Sequence, residues 1–253
     1  MTTYTINHND QYNSLEIFFD GKPDEAVRSA LKGLKFRWHR IKKCWYGFAD
    51  EETVRAAIEK DPMEDYTVTT NEGYMGTTEW TGCNRDKVSY TDLPKAIREA
   101  FKKCGIKGVT VRRHSYSGGQ SLYFTITLAD RDLLDMNEFI KQSSLFDFSS
   151  CNTIQDPDND WRPMMIYDAE KMPIEEQNRL IVAHAKAKYE RIADGSYNLN
   201  QYYIDEEKVF TDQFKAKFHK IRQIVDSFNH DDTNSMVDYF DRDFYEHYKL
   251  KAC

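Results

Sequence analysis

Two runs of cations set the chemistry open to this chain. The first is Arg28, Lys32, Lys35, Arg37, Arg40, Lys42 and Lys43, with His39 beside them and no acid between Glu25 and Asp50. Phe36, Trp38, Trp45, Tyr46 and Phe48 are threaded through its second half. Lysine and arginine neutralise phosphates and aromatic rings stack on bases, so cations interleaved with rings suit a single-stranded nucleic acid. Arg37, Trp38, Arg40, Lys42 and Lys43 are the candidate binding residues here. A second reading stands beside this one: a hairpin with Trp38 and Trp45 opposite each other, both partly core, and the cations solvated.

The second run is Lys95, Arg98, Lys102, Lys103, Lys107, Arg112 and Arg113, opposed only by Glu99. Lys95, Arg98 and Lys102 recur three and four apart, which places them on one helical stripe. Arg112 shares a strand face with Thr110 and His114, opposite Val109 and Val111. Lys95, Arg98, Lys102, Arg112 and Arg113 are therefore candidates for contact with a nucleic acid or a partner, against solvation as the plain alternative.

A third cluster is acidic. Asp231, Asp232, Asp238, Asp241 and Asp243 alternate with Tyr239, Phe240, Phe244 and Tyr245. These carboxylates either dock on a cationic partner or fold back with their aromatics onto the core. A calcium loop needs glycine at its sixth position and glutamate at its twelfth, and counting from Asp231 these are Met236 and Arg242. Arg242, Lys249 and Lys251 also interrupt the array that phosphate mimicry would need.

Catalytic signatures are missing from the sequence. There is no phosphate-binding P-loop, no dinucleotide fingerprint, no zincin motif and no nucleophile elbow. The Ser117–Ser121 segment SGGQS lies between two alternating strands and reads as a hairpin turn. The histidines are isolated from one another. The expectation is a non-enzyme with no metal and no cofactor.

The elements that position these residues follow from periodicity. Leu15, Ile17 and Phe19 alternate as a strand, and a helix follows Pro23. Two short strands flank the basic turn, and a second helix is capped by Asp50. Residues 1–62 thus read as a β-α-β-β-α module. Residues 63–90, rich in Gly, Thr, Asn and Asp, read as a linker with one strand near Tyr66–Thr70. Residues 91–253 read as a larger domain. It begins with a helix capped by Thr91 or Asp92, followed by a hairpin turning at Gly118-Gly119. A helix at Leu133–Lys141, a strand at Met164–Tyr167 and a helix from Pro173 come next, then a strand at "QYYI", a helix at 211–228 and a strand at Phe244–Leu250. The predicted class is α+β.

The composition agrees with such a fold. The chain has 253 residues, 40% hydrophobic and 14% aromatic, enough to bury a core. Its formal charge is −7, and most of the acidity falls in residues 151–253. MTTYTINHND lacks the basic and apolar regions of a signal peptide, and no apolar run is long enough for a membrane helix. Cys44, Cys83, Cys104, Cys151 and Cys253 are scattered without a C-x-x-C pair. Reduced thiols in a cytoplasm are expected.

The stretch IFFDGKPDEAVRSALKGLKFRWHRIKKCWYGF resembles a short module of phage and conjugative-element proteins: a strand, Lys22-Pro23, an amphipathic helix, Phe36-Arg37-Trp38, then Lys43-Cys44-Trp45-Tyr46. It is similar, more weakly, to the HARP domain of DNA-annealing helicases. DLPKAIREAFKK, VTVRRHSYSGGQSLYFTITL, NQYYIDEEKVFT and DDTNSMVDYFDRDFY resemble the large polyvalent protein-associated domain group of phages and mobile elements. The resemblance implies a phage or mobile-element protein, in the cytoplasm of an infected or recipient bacterial host. It implies protection of the incoming element by binding a host defence protein or ribonucleoprotein, in the manner of an anti-CRISPR or anti-restriction inhibitor. The alternative is a general single-stranded nucleic-acid-binding accessory of replication or transfer.

Overall fold

The computed structural model describes residues 3–73, 76–150, 152–156, 163–195, 197–237 and 240–252. The fold is α+β, as the periodicity predicts. It divides into two units, Met1–Lys107 with Lys220–Phe244, and Gly108–His219 with Tyr245–Cys253. The expected boundary at residue 91 is therefore displaced. The first helix after it stays with the N-terminal unit, and a late segment returns to that unit.

In the first unit, strands β1 (Tyr4–Asn9), β2 (Ser14–Phe19), β3 (Arg37–His39) and β4 (Cys44–Gly47) form a sheet in the order β1-β2-β4-β3. Helices α1 (Glu25–Gly33) and α2 (Glu51–Glu59) complete this module. Strand β1 adds to the expected order and makes it β-β-α-β-β-α. Its sequence is mostly polar, and only Tyr4 and Ile6 mark a face. What holds it is pairing, with Tyr4 opposite Phe19 and Ile6 opposite Ile17. Leu15, Ile17, Leu31, Phe36, Trp45 and Val54 make the core. A Cβ at Gly47 would lie 2.5 Å from the Phe36 ring, so only glycine lets that ring close over β4. Asp50 caps α2, accepting from the Thr53 N–H at 2.8 Å.

The stretch read as a linker is instead structured. It carries β5 (Val68–Glu72) and β6 (Thr78–Gly82), which pair with each other. Strand β12 (His230–Asp231) adds to β6 from far along the chain. Threonine-rich, weakly apolar strands give little periodic signal, and their long-range partner is invisible in a local window. Helix α3 (Leu93–Lys103) buries Leu93, Ile97, Ala100 and Phe101. The side chain of Asp92 makes no cap bond to it, and its Oδ2 accepts instead from the Ser89 hydroxyl at 2.8 Å.

In the second unit, β7 (Val109–Tyr116) and β8 (Gly119–Thr127) form the expected hairpin, with Gly118 at φ 86° in its turn. Strand β13 (Tyr245–Lys251) pairs parallel to β8, and β11 (Asn198–Leu199) pairs with β13. The order is β11-β13-β8-β7. The strand expected at "QYYI" lies a few residues earlier, and Gln201–Ile204 is turn. Helices α4 (Met136–Gln142), α5 (Ile166–Ala169) and α6 (Ile174–Ala193) and the strand pair β9 (Thr153–Ile154) and β10 (Met164–Met165) complete the unit. Leu122, Phe124, Ile126, Tyr248 and Leu250 are buried on one sheet face. Helix α7 (Asp212–Asp226) contributes Phe218, whose ring centroid lies 5.0 Å from that of Tyr248. Among the described residues, no helix is long and apolar enough to cross a membrane.

Candidate nucleic-acid interface

Strand alternation sends every second residue of a sheet to the same face. In the second unit the inward positions are Leu122, Phe124 and Ile126 on β8, and Glu246, Tyr248 and Leu250 on β13, all buried. The opposite face is read off the register. Arg112, Tyr123 and His247 form one row across β7, β8 and β13. His114, Ser121 and Tyr245 form the next. Thr110, Thr125, Lys249 and Asn198 form a third, which reaches β11. Tyr116 and Lys251 stand at the two ends.

No outer-face position of these four strands is an acid. The face carries the cations Arg112, Lys249 and Lys251, with His114 and His247 among them. Tyr116, Tyr123 and Tyr245 are 44%, 45% and 40% exposed. Tyr123 and His247 are stacked, with ring centroids 4.7 Å apart at 22°. His114 lies edge-on to Tyr123 at 6.5 Å and 6.3 Å from Tyr116. A cavity of about 390 Å³ opens beside this stack, lined by Tyr123, Thr125, Asn198, Gln201, His247 and Lys249 among others.

Of the sequence candidates, Arg112 belongs to this face. Arg113 stands in register with Leu122 and so falls on the other face. Lys95, Arg98 and Lys102 are exposed along α3, but in the first unit. Lys102 Nζ is 3.8 Å from Glu25, which also pairs with Arg28, so a carboxylate sits among these cations.

The basic hairpin of the first unit departs from the sequence reading. Trp38 and Trp45 do face each other, with centroids 5.9 Å apart. Only Trp45 is core, at 6% exposure against 47% for Trp38. Strand β3 is the sheet edge, and among the described residues no strand continues the sheet beyond it to cover Trp38. Arg37, Arg40, Lys42 and Lys43 are all exposed. Lys42 is bound to Glu16 at 2.7 Å, which raises the pKa of the ammonium. Glu16 is held below the usual carboxylate range by that bond and by one from Asn9. One acid therefore occupies the outer face of this sheet, beside Tyr46 and Arg37.

The acidic segment is largely committed to internal partners. Asp243 accepts from Arg85 Nε at 2.7 Å and Nη2 at 3.0 Å, a two-pronged ion pair. Asp231 is buried and paired with Arg242. Burial pushes its pKa up, but the bonds from Arg242 and Thr233 outweigh that and hold it below the ordinary value. Asp232 accepts from the Thr77 hydroxyl at 3.3 Å, and Asp241 lies 3.7 Å from the buried His230, whose Nδ1 bonds Thr81 at 2.8 Å. Asp238 lies outside the described residues.

Tyr116, Tyr123 and His247 were not singled out by the sequence reading, and Tyr245 and Lys249 entered it only as parts of the acidic segment, not as binding residues. The alternation of β8 already turns Tyr123 away from Phe124. What no local window shows is the parallel pairing of β13 with β8, which sets His247 beside it. Comparison with family models, with curated proteins and with solved structures finds no match for this chain.

Proposed function

We propose that this protein is a non-catalytic binder of single-stranded nucleic acid and that the outer sheet face of the second unit is its platform. One observation carries the reading. In a chain of formal charge −7, a four-stranded face carries no acid, three cations and three part-exposed tyrosines. Arg112, Lys249 and Lys251 serve the phosphates, and Tyr123, Tyr116 and Tyr245 offer rings to unpaired bases. A duplex hides its base faces, so the rings favour a single strand.

The resemblance to phage and mobile-element proteins gives this binding its setting, the cytoplasm of an infected or recipient bacterial host. A counter-defence inhibitor of this kind acts on the guide or target strand of a host complex. It does not act by phosphate mimicry, because Asp231 and Asp243 are already held by Arg242 and Arg85. A replication or transfer accessory would use the same face.

The test is fluorescence anisotropy of labelled single-stranded DNA, single-stranded RNA and duplex DNA at two salt concentrations. The expected result is single-strand binding that weakens steeply with salt and exceeds duplex binding. Equal affinity for duplex, or no binding at low salt, overturns the proposal.

A further inference from the structure

We infer that the cavity lined by β8, β13, β11 and the turn after β11 is a slot for one unpaired base of the bound strand, and that its amide side chains give the platform a base preference. This rests on the nucleic-acid reading above and goes beyond it, from a sequence-blind surface to a reading position. At about 390 Å³ the cavity is at the low end of small-ligand sites, roughly 300–1,000 Å³, and so takes one nucleotide rather than a run of them.

The ring order argues for stacking. Tyr123 on β8 covers one side of the His247 ring on β13 at 4.7 Å. Strand β11 lies on the other side of β13. Both stacked rings, Tyr123 and His247, line the cavity. A base entering there extends the tyrosine–histidine stack by one layer.

The rim supplies the chemistry of recognition. Asn198 is in register with Lys249 and shares its face, and Gln201 follows in the turn after β11. A carboxamide presents a donor and an acceptor together, which is what the hydrogen-bonding edge of a base demands. Lys249, in the same lining, is placed for the phosphate next to that base. Leu199, Phe124, Tyr248 and Glu246 also line the cavity and are buried, so its floor is the packed sheet itself, where the Glu246 carboxylate accepts from the Tyr248 hydroxyl at 3.2 Å.

The experiment compares the full-length protein with the double variant Asn198→Ala/Gln201→Ala. Anisotropy is measured on labelled 12-mers of dA, dC and dT and on a mixed sequence. A parallel set carries 2-aminopurine at one position, whose emission is quenched on stacking. The slot predicts that the wild type ranks the homopolymers over about tenfold, the size of one side-chain-to-base contact. The double variant flattens that ranking while keeping circular dichroism and most of its affinity for the mixed strand. His247→Ala weakens the quenching without removing it, because the platform tyrosines still stack. If the ranking survives in the double variant, or the wild type has no ranking, the slot is overturned and the platform stands. If no single strand binds the wild type, both readings fall together.

Discussion

At the scale of single residues, the account turns on which aromatic rings work outward and which work inward. Tyr123 is part-exposed and already stacked on His247, so its truncation removes a base-stacking surface without opening a core. Tyr123→Ala is expected to weaken single-strand binding by about 1–3 kcal/mol, with the melting temperature shifted by no more than a few degrees. Titration by anisotropy and a thermal melt check both halves. The two tryptophans separate in the opposite sense. Trp45→Ala empties a core position and costs about 3–5 kcal/mol in urea unfolding, whereas Trp38→Ala costs under about 1 kcal/mol. Equal costs would mean that the edge strand is covered.

At the scale of elements, the first module was largely legible. Leu15-Ile17-Phe19, the helix after Pro23 and the capped helix at Asp50 lie where alternation, helical spacing and capping chemistry put them. Strand β1 was not legible, because its two apolar residues mean little until β2 pairs with them. Strands β5 and β6 were hidden for a related reason: their residues are mostly threonine, asparagine and glutamate, and β12 completes their sheet from about 150 positions away. The candidate site divides the same way. Arg112 was found because cations and alternation are local signals. His247 and Lys249 were missed because a parallel pairing between β8 and β13 cannot be read from either strand alone.

The segment from Asp231 to Asp243 shows what that non-local structure does to charge. Read as sequence it is an acidic surface, and read as structure it is a clasp, with Asp243 on Arg85 and Asp231 on Arg242. Asp243→Ala leaves the part-buried Arg85 without its two-pronged partner. It is expected to lower stability by about 1–3 kcal/mol in urea unfolding while leaving single-strand affinity unchanged. A large loss of binding with unchanged stability would restore the acidic docking surface.

At the scale of the whole molecule, carboxylates held by cations set the response to acid. Asp65 is held below the ordinary range by Lys103 and Lys60. For Asp147, burial works upward, but the bonds from Lys208 and Ser144 prevail and lower it. Asp231 is likewise depressed. A carboxylate whose folded pKa lies below its unfolded value stabilises the fold at pH above that unfolded value. The contribution is lost as pH falls through the folded one. The urea midpoint is therefore expected to hold from pH 7 to about 5 and to fall below about pH 4, and Asp65→Asn should blunt part of that fall. A midpoint that rose on acidification would contradict these pairings.

The net charge of −7 hides an uneven distribution. The cations of the first unit are interleaved with Glu16 and Glu25, whereas the outer face of the second unit carries no acid. The central claim is that the second of these, and not the more conspicuous basic hairpin, holds the nucleic acid. The most direct measurement compares two charge reversals in one anisotropy titration on single-stranded DNA, Arg112→Glu/Lys249→Glu and Arg37→Glu/Arg40→Glu/Lys43→Glu, with both folds checked by circular dichroism. The account predicts that the sheet variant loses binding and its salt dependence while the hairpin variant retains both. Loss confined to the hairpin variant would contradict it.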